Sequence, residues 1–558
     1  MTHALATRAR LRALSLTVSV AAAVLLAAPG ASAANYCPAV WKKAVLPLNF
    51  NPAFTHIDKF NVAGGGQQEG LLVSSFFNVL KDPTGTTVTS YFSRDLVARV
   101  AGLDTLDLST FNKDTNVEVL TDISGPPYNT VWPNIVSRVP DGVVPFEAVV
   151  APQGFLAAFP PGRLSLINMD SPTRQEYLVD QSTGLFDEFG VGIPCDGEDT
   201  NKPRFYHEVQ YADMDGDTYL DIVTVRSGFK PTGAGSFCGF AGDLVYFKNP
   251  GPALAANTEW EEHLLFGTPT IVTGPDTSIR LYDFEHDGIP EVIASHFFNR
   301  AGAIRIYGAP AGSTWASVNP PAVVVRQAGV AGPTSQGKPF GLELVDLNLD
   351  GKVEILYTNH QPDNCFTVTQ DAIPGRVVAL EQPVSGNVFG GAASWPMHIL
   401  KDNIRPNPTH PAPAMGPGRL APGGAVVFTP VAGLQGTVKP WIVVSGDEAS
   451  KVWLLTPKIA TSKTNWDYLS AVIFDINATY GPGTTQTIMG PAGISPGEVI
   501  STIGTVSVRY DGPGTTAKAQ IYIPVFEAKA IHVLTLSTGS ASDRVVCPPD
   551  VREACPVP

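Results

Sequence analysis

Three short stretches of the chain carry oxygen-bearing side chains at a spacing that suits a hard cation. From Asp213 the sequence runs D-M-D-G-D-T-Y-L-D, from Asp283 D-F-E-H-D-G-I-P-E, and from Asp346 D-L-N-L-D-G-K-V-E. Each places ligand groups at relative positions 1, 3, 5 and 9. The sets are Asp213, Asp215, Asp217 and Asp221; Asp283, Glu285, Asp287 and Glu291; and Asp346, Asn348, Asp350 and Glu354. A tight loop with ligands on alternate residues turns successive oxygens toward one centre, so calcium is the expected ion at all three. Gly288 and Gly351 stand at position 6, where such a loop bends sharply. In the first loop the glycine is Gly216 at position 4, and position 6 is Thr218. With four aspartates the first loop is the richest in short carboxylates, whereas Glu291 and Glu354 at position 9 are longer and coordinate differently or through water.

The elements that must position these loops repeat with them. Asp213 to Asp283 is 70 residues and Asp283 to Asp346 is 63. After each loop comes a strand rich in β-branched residues or leucine, then a second strand: residues 243–247 (D-L-V-Y-F), 303–307 (A-I-R-I-Y) and 376–380 (R-V-V-A-L). Two stretches, 260–265 (W-E-E-H-L-L) and 395–400 (W-P-M-H-I-L), close their units. Helical periodicity is absent, and short Gly/Pro turns separate the strands, so the unit reads as about four strands. The same template fits 70–78, 148–151 with 162–167, 441–446 with 451–455, and 520–527 with 529–534. Four-stranded units repeated seven times predict an all-β chain closed as a seven-bladed β-propeller, because radial closure buries both faces of every sheet. The blades are expected over about 45–545, within a single domain 34–558, with the chain ends close together. Eight shorter units also fit the length.

At these residues the chain resembles the FG-GAP/VCBS repeat family of secreted and cell-surface propellers. The specific part of the resemblance covers roughly 205–400. It implies calcium in the acidic loops and, commonly, seven blades. Functions in that family range over adhesion domains, fungal lectins, and propeller domains of polysaccharide lyases and sugar dehydratases, so the fold does not choose among them.

If the acidic loop enters a strand at one end, residues five or six beyond position 9 emerge at the other. These are Arg226, His296, Asn359 and His360, with Ser75, Asp447 and Glu527 at equivalent places in other units and Asn299 just beyond. Rimmed by Phe76, Phe297 and Phe298, such a ring of basic, imidazole and acidic groups suits sugar hydroxyls and ring faces. The expected function is recognition of a glycan or other extracellular ligand. The alternative is a lyase- or dehydratase-type enzyme in which His296 or His360 is the base and Arg226 stabilises developing charge. No G-x-S-x-G elbow, H-E-x-x-H motif, Walker loop or dinucleotide fingerprint occurs, which favours recognition. His207, His263, His398 and His532 lie inside strands and read as packing residues.

Composition narrows the setting. Residues 1–33 combine Arg8, Arg10 and Arg12, an apolar run from about Ala13 to Ala28, and Ala31 and Ala33 in an A-x-A arrangement, the pattern of a cleaved export signal. Extracellular or periplasmic location is therefore expected, and no later stretch approaches a membrane span. Net charge is −14 for 558 residues; without the three leader arginines it is 34 − 51 = −17, which makes nucleic acid and anionic membrane poor partners. All six cysteines follow the leader, and an even count in an oxidising compartment predicts up to three disulfides.

Overall fold

In the computed structural model the described residues lie within 40–537, interrupted at 63–64, 76–79, 82–86, 89–94, 123–131, 155–161, 182–203, 231–238, 257, 268–273, 298–301, 319–325, 332–337, 363–374, 385, 392–393, 408–419, 485–487, 491–492 and 496–499. The leader, all six cysteines, Phe76, Phe298 and Asn299 fall outside them.

Seven antiparallel four-stranded sheets are arranged as a seven-bladed β-propeller, with almost no helix. Blade 1 is Phe54–Asn61, Gln67–Ser75, Leu96–Val100 and Val117–Asp122. Blade 2 is Ser137–Arg138, Ala148–Pro152, Arg163–Asn168 and Glu176–Gln181. Blade 3 is Arg204–Ala212, Asp221–Lys230, Gly239–Lys248 and Glu261–Phe266. Blade 4 is Ile279–Tyr282, Glu291–His296, Ala303–Gly308 and Arg326–Ala331. Blade 5 is Pro339–Val345, Glu354–Asn359, Gly375–Leu380 and Met397–Ile404. Blade 6 is Ala425–Phe428, Trp441–Ser445, Lys451–Pro457 and Tyr468–Asp475. Blade 7 takes Ser507–Tyr510, Ala519–Val525 and Ala530–Ser537 from the C-terminal part of the chain and its outermost strand, Val40–Pro47, from the N-terminal part. Val40 stands opposite Ser537 and Pro47 opposite Ala530, so the ring is locked by main-chain hydrogen bonds between the two ends of the described chain. Among the described residues, each of the seven template matches contains blade strand.

The strand sequences follow from the packing. Each apolar cluster sits between two neighbouring blades: Val150, Leu166, Ile222 and Phe247 join blades 2 and 3, for example, and Ile293, Ile306, Ile355 and Val378 join blades 4 and 5. Central strands are therefore buried on both faces and read as runs such as Ile222-Val223 and Val292-Ile293-Ala294 rather than as strict alternation. The innermost strands abut around the axis, blade 7 meeting blade 1 to close the circle. There Thr55 Oγ1 donates to the carbonyl of Thr505 at 2.6 Å, and Arg509 pairs with Glu69 at 2.6 Å. Among the described residues no helix is long and apolar enough to cross a membrane.

Antiparallel connectivity sorts the chemistry onto two ends of the channel. First-to-second-strand turns, including the three acidic loops, lie at one end. Second strands end, third strands begin and first strands begin at the other.

Candidate functional site

The three acidic loops share a common hydrogen-bond framework. The carboxylate at position 1 accepts the N–H groups of positions 5 and 6: Asp213 from Asp217 at 3.1 Å and Thr218 at 2.9 Å, Asp283 from Asp287 at 3.1 Å and Gly288 at 2.8 Å, and Asp346 from Asp350 at 3.1 Å and Gly351 at 2.9 Å. Position 9, the first residue of the second strand, accepts from the N–H of position 2: Asp221 from Met214, Glu291 from Phe284 and Glu354 from Leu347. Positions 4 and 6 both have left-handed backbone in every copy: Gly216 and Thr218, His286 and Gly288, Leu349 and Gly351.

Threonine is a poor occupant of that conformation, because its branched Cβ crowds the backbone at φ +78°. Thr218 is exposed, so replacing it loses no buried contact. Thr218→Gly is expected to stabilise the protein by about 1 kcal/mol after the extra chain entropy of glycine is subtracted. Chemical denaturation checks this, and a destabilised variant would contradict it.

The loops differ around position 9. Glu354 is fully buried, and its Oε1 has no hydrogen-bond partner among the described residues. Removal from solvent, with Asp350 and Asp346 nearby, pushes its carboxyl up to about 8. Asp221 is pushed up to about 6 by burial, although both its oxygens are held, by the N–H groups of Met214 and Asn249. Lys248 reaches into this first loop, pairing with Asp215 and, at 3.1 Å, with Asp217. Those carboxylates raise the pKa of its ammonium.

At the opposite end an aromatic and imidazole cluster spans the channel. Phe54 of blade 1 meets His207 of blade 3 edge-on at 5.6 Å, and His207 meets Phe340 of blade 5 at 5.5 Å. His360 stacks on Phe340 at 4.7 Å, and Phe297 of blade 4 touches both rings at 5.5 Å. Lys338 Nζ lies 5.7 Å from the Phe297 ring centre. His360 Nδ1 is 2.7 Å from the carbonyl of Pro422, which only accepts, so Nδ1 carries the proton and Nε2 presents its lone pair. Asp447 Oδ2 lies 3.6 Å from that Nε2. Its carboxyl is driven well above the ordinary range by loss of solvent and by Glu448 and Glu527. Burial holds both His207 and His360 down to about 4, so both rings are neutral near pH 7. His207 Nδ1 has no partner among the described residues.

The residues singled out at the second-strand ends do not all converge. His360 and Asp447 come together. Glu527 stands close enough to raise Asp447 but accepts from the N–H groups of Ser501 at 3.0 Å and Thr502 at 2.9 Å. Arg226 runs outward along blade 3 to Glu262 at 2.7 Å and Asp243 at 3.4 Å. His296 is buried, with Nε2 2.8 Å from the hydroxyl of Tyr307 on the neighbouring strand. Asn359 accepts the N–H of Arg376, and Ser75 is buried. Phe54, His207, Phe340 and Lys338 were not expected at this mouth. Phe54, Phe340 and Lys338 lie at or just before the starts of first strands and His207 is the fourth residue of its own, and first strands begin at the end where second strands finish; that antiparallel relation was the available signal. Register shifts between Tyr206 and Val209 and between Pro339 and Leu342 add local irregularity beside His207 and Phe340.

Midway along the channel, Arg280 stitches three innermost strands, pairing with Glu208 of blade 3 and Glu343 of blade 5. At the acidic-loop end a cleft of about 470 Å³ opens between blades 7, 1 and 2, lined in part by Lys59, Arg138, Arg509 and Tyr510. Arg138 is already bound to Asp141 and Glu147, and Arg509 to Glu69 and Asp104. The arginines of this cleft are committed to internal partners.

No protein-family model matches the chain, and no curated protein matches it either.

Proposed function

We propose that this chain is an exported, calcium-stabilised propeller that recognises a glycan or similar polyol at the mouth lined by Phe54, His207, Phe340 and His360. The observation that carries the reading is the pairing of stacked rings with an imidazole lone pair and a carboxyl at one spot. Aromatic faces take the C–H face of a sugar ring, while His360 Nε2 accepts from a hydroxyl and Asp447 donates or accepts beside it. Net negative charge and the export-type leader fit an extracellular, uncharged ligand, and the resemblance to FG-GAP/VCBS repeats supports the same setting. Recognition is favoured over catalysis because Arg226, the charge-stabilising group of the enzyme reading, is tied to Glu262 and Asp243 away from His360.

Calcium fits the loops of blades 4 and 5 on chemical grounds. Their side chains supply oxygen donors at the required sequence spacing, and the Oε1 of Glu354, without a partner among the described residues, is a buried acceptor that a cation would satisfy. Asp283, Glu285, Asp287 and Glu291 would hold one ion, and Asp346, Asn348, Asp350 and Glu354 the other. Each ion would pin a turn between two strands of one blade.

A glycan array, followed by titration of the best hit, tests the recognition reading. His360→Ala and Phe340→Ala are each expected to weaken binding about tenfold or more, the equivalent of roughly 1.4 kcal/mol. Absence of any glycan hit, or affinity unchanged in both variants, refutes it. Appearance of unsaturated products by ultraviolet absorbance would instead establish the enzyme alternative.

A further inference from the structure

The calcium reading is the premise here, and the three loops differ in a way that refines it. In blades 3, 4 and 5 the second and third strands pair Ile222 with Phe247, Val292 with Tyr307 and Ile355 with Leu380. The next residue of each third strand therefore stands beside loop position 9. Those residues are Lys248, Gly308 and Glu381. One loop thus faces a cation, one faces no side chain, and one faces a further carboxylate.

We propose that the ε-ammonium of Lys248 is the resident cation of the blade 3 loop, so that calcium is taken by blades 4 and 5 and not by blade 3. Lys248 contacts the carboxylates at positions 3 and 5, Asp215 and Asp217, two of the groups a divalent ion requires. A third, Asp221, has both oxygens engaged by backbone N–H groups. Carboxylate oxygens of Asp213, Asp215 and Asp221 lie within 4.8 Å of one another, a crowding that needs a nearby positive charge. Lys248 provides it without a bound ion. Calcium entering this loop must displace an amine tethered to the same blade, whose effective concentration is on the order of millimolar or higher. Blade 5 differs: Glu381 adds negative charge although its Oε2 lies 2.9 Å from His398 Nε2, the nearby Lys439 donates to the carbonyl of Asn465 and not to a loop carboxylate, and Glu354 keeps one buried oxygen without a partner among the described residues. Counting acidic residues ranks the blade 3 loop first for calcium; the position of Lys248 ranks it last.

Calorimetric titration of the full chain with calcium chloride after chelator treatment tests this. Wild type is expected to bind two ions per chain and Lys248→Gln three, while Lys248→Arg, which keeps the charge, stays at two. Melting curves of each variant establish that it is folded, and Lys248→Gly, copying blade 4, serves as the second neutral variant. Three ions in wild type, or two in both neutral variants, overturns the lysine assignment and leaves the calcium reading standing. No ion in wild type but one gained in the neutral variants upholds the assignment and refutes calcium binding by blades 4 and 5. No binding in any form overturns both.

Discussion

Acidification from pH 6.5 to pH 4 is expected to cost this propeller up to about 3 kcal/mol for each of three buried histidines. His207, His360 and His532 are each held down to about 4 from the ordinary 6.5, with burial as the main cause. The sign follows from which state takes the proton first. In the unfolded chain these rings protonate as the pH drops below 6.5, whereas the folded protein resists until near 4. Their stability contribution is therefore complete above 6.5, declines through that window and levels off below it. Buried carboxyls held above their ordinary range, such as Asp447, run the other way, so the histidine share is read as a difference between wild type and variant. His207→Phe keeps an aromatic ring between Phe54 and Phe340 and cannot protonate. Relative to wild type it should gain up to about 3 kcal/mol of stability between pH 7 and pH 4 in denaturant titrations. A difference that does not change with pH would sink the assignment.

Saturating calcium is expected to stabilise the native protein by about 5 kcal/mol. A ligand that binds only the folded state contributes about 2.7 kcal/mol at one hundred times its dissociation constant, and on the reading proposed above blades 4 and 5 would each supply a site. The melting temperature should rise steadily with the logarithm of free calcium above the dissociation constant. Glu354→Gln should remove about half of the calcium-dependent increment, because an amide cannot ionise to meet a cation at the position 9 whose oxygen has no partner among the described residues. A melting curve indifferent to chelator, together with no calcium by elemental analysis, would refute the reading.

What the amino-acid sequence determined by itself was local or periodic. Blade strands were legible because each unit repeats a loop, a doubly buried strand and a closing strand at similar spacing. The acidic loops were legible because the hydrogen bonds common to all three run between residues at most seven apart in sequence, from Asp213 to Asp217 or from Met214 to Asp221. Even the misplaced glycine of the first loop was visible, although only the backbone showed that positions 4 and 6 are both left-handed. The tertiary structure decided everything that depends on which strands become neighbours. Lys248 lies 248 − 221 = 27 residues beyond Asp221, and only the pairing of Ile222 with Phe247 brings it to the loop. Arg226 faces Glu262 and Asp243 rather than the mouth because strand pairing set carboxylates beside it. Phe54, His207 and Phe340 come from blades 1, 3 and 5 and share no local pattern. They meet because the ring closes, and closure is a property of seven interfaces between blades acting together, which no spacing within a single unit encodes.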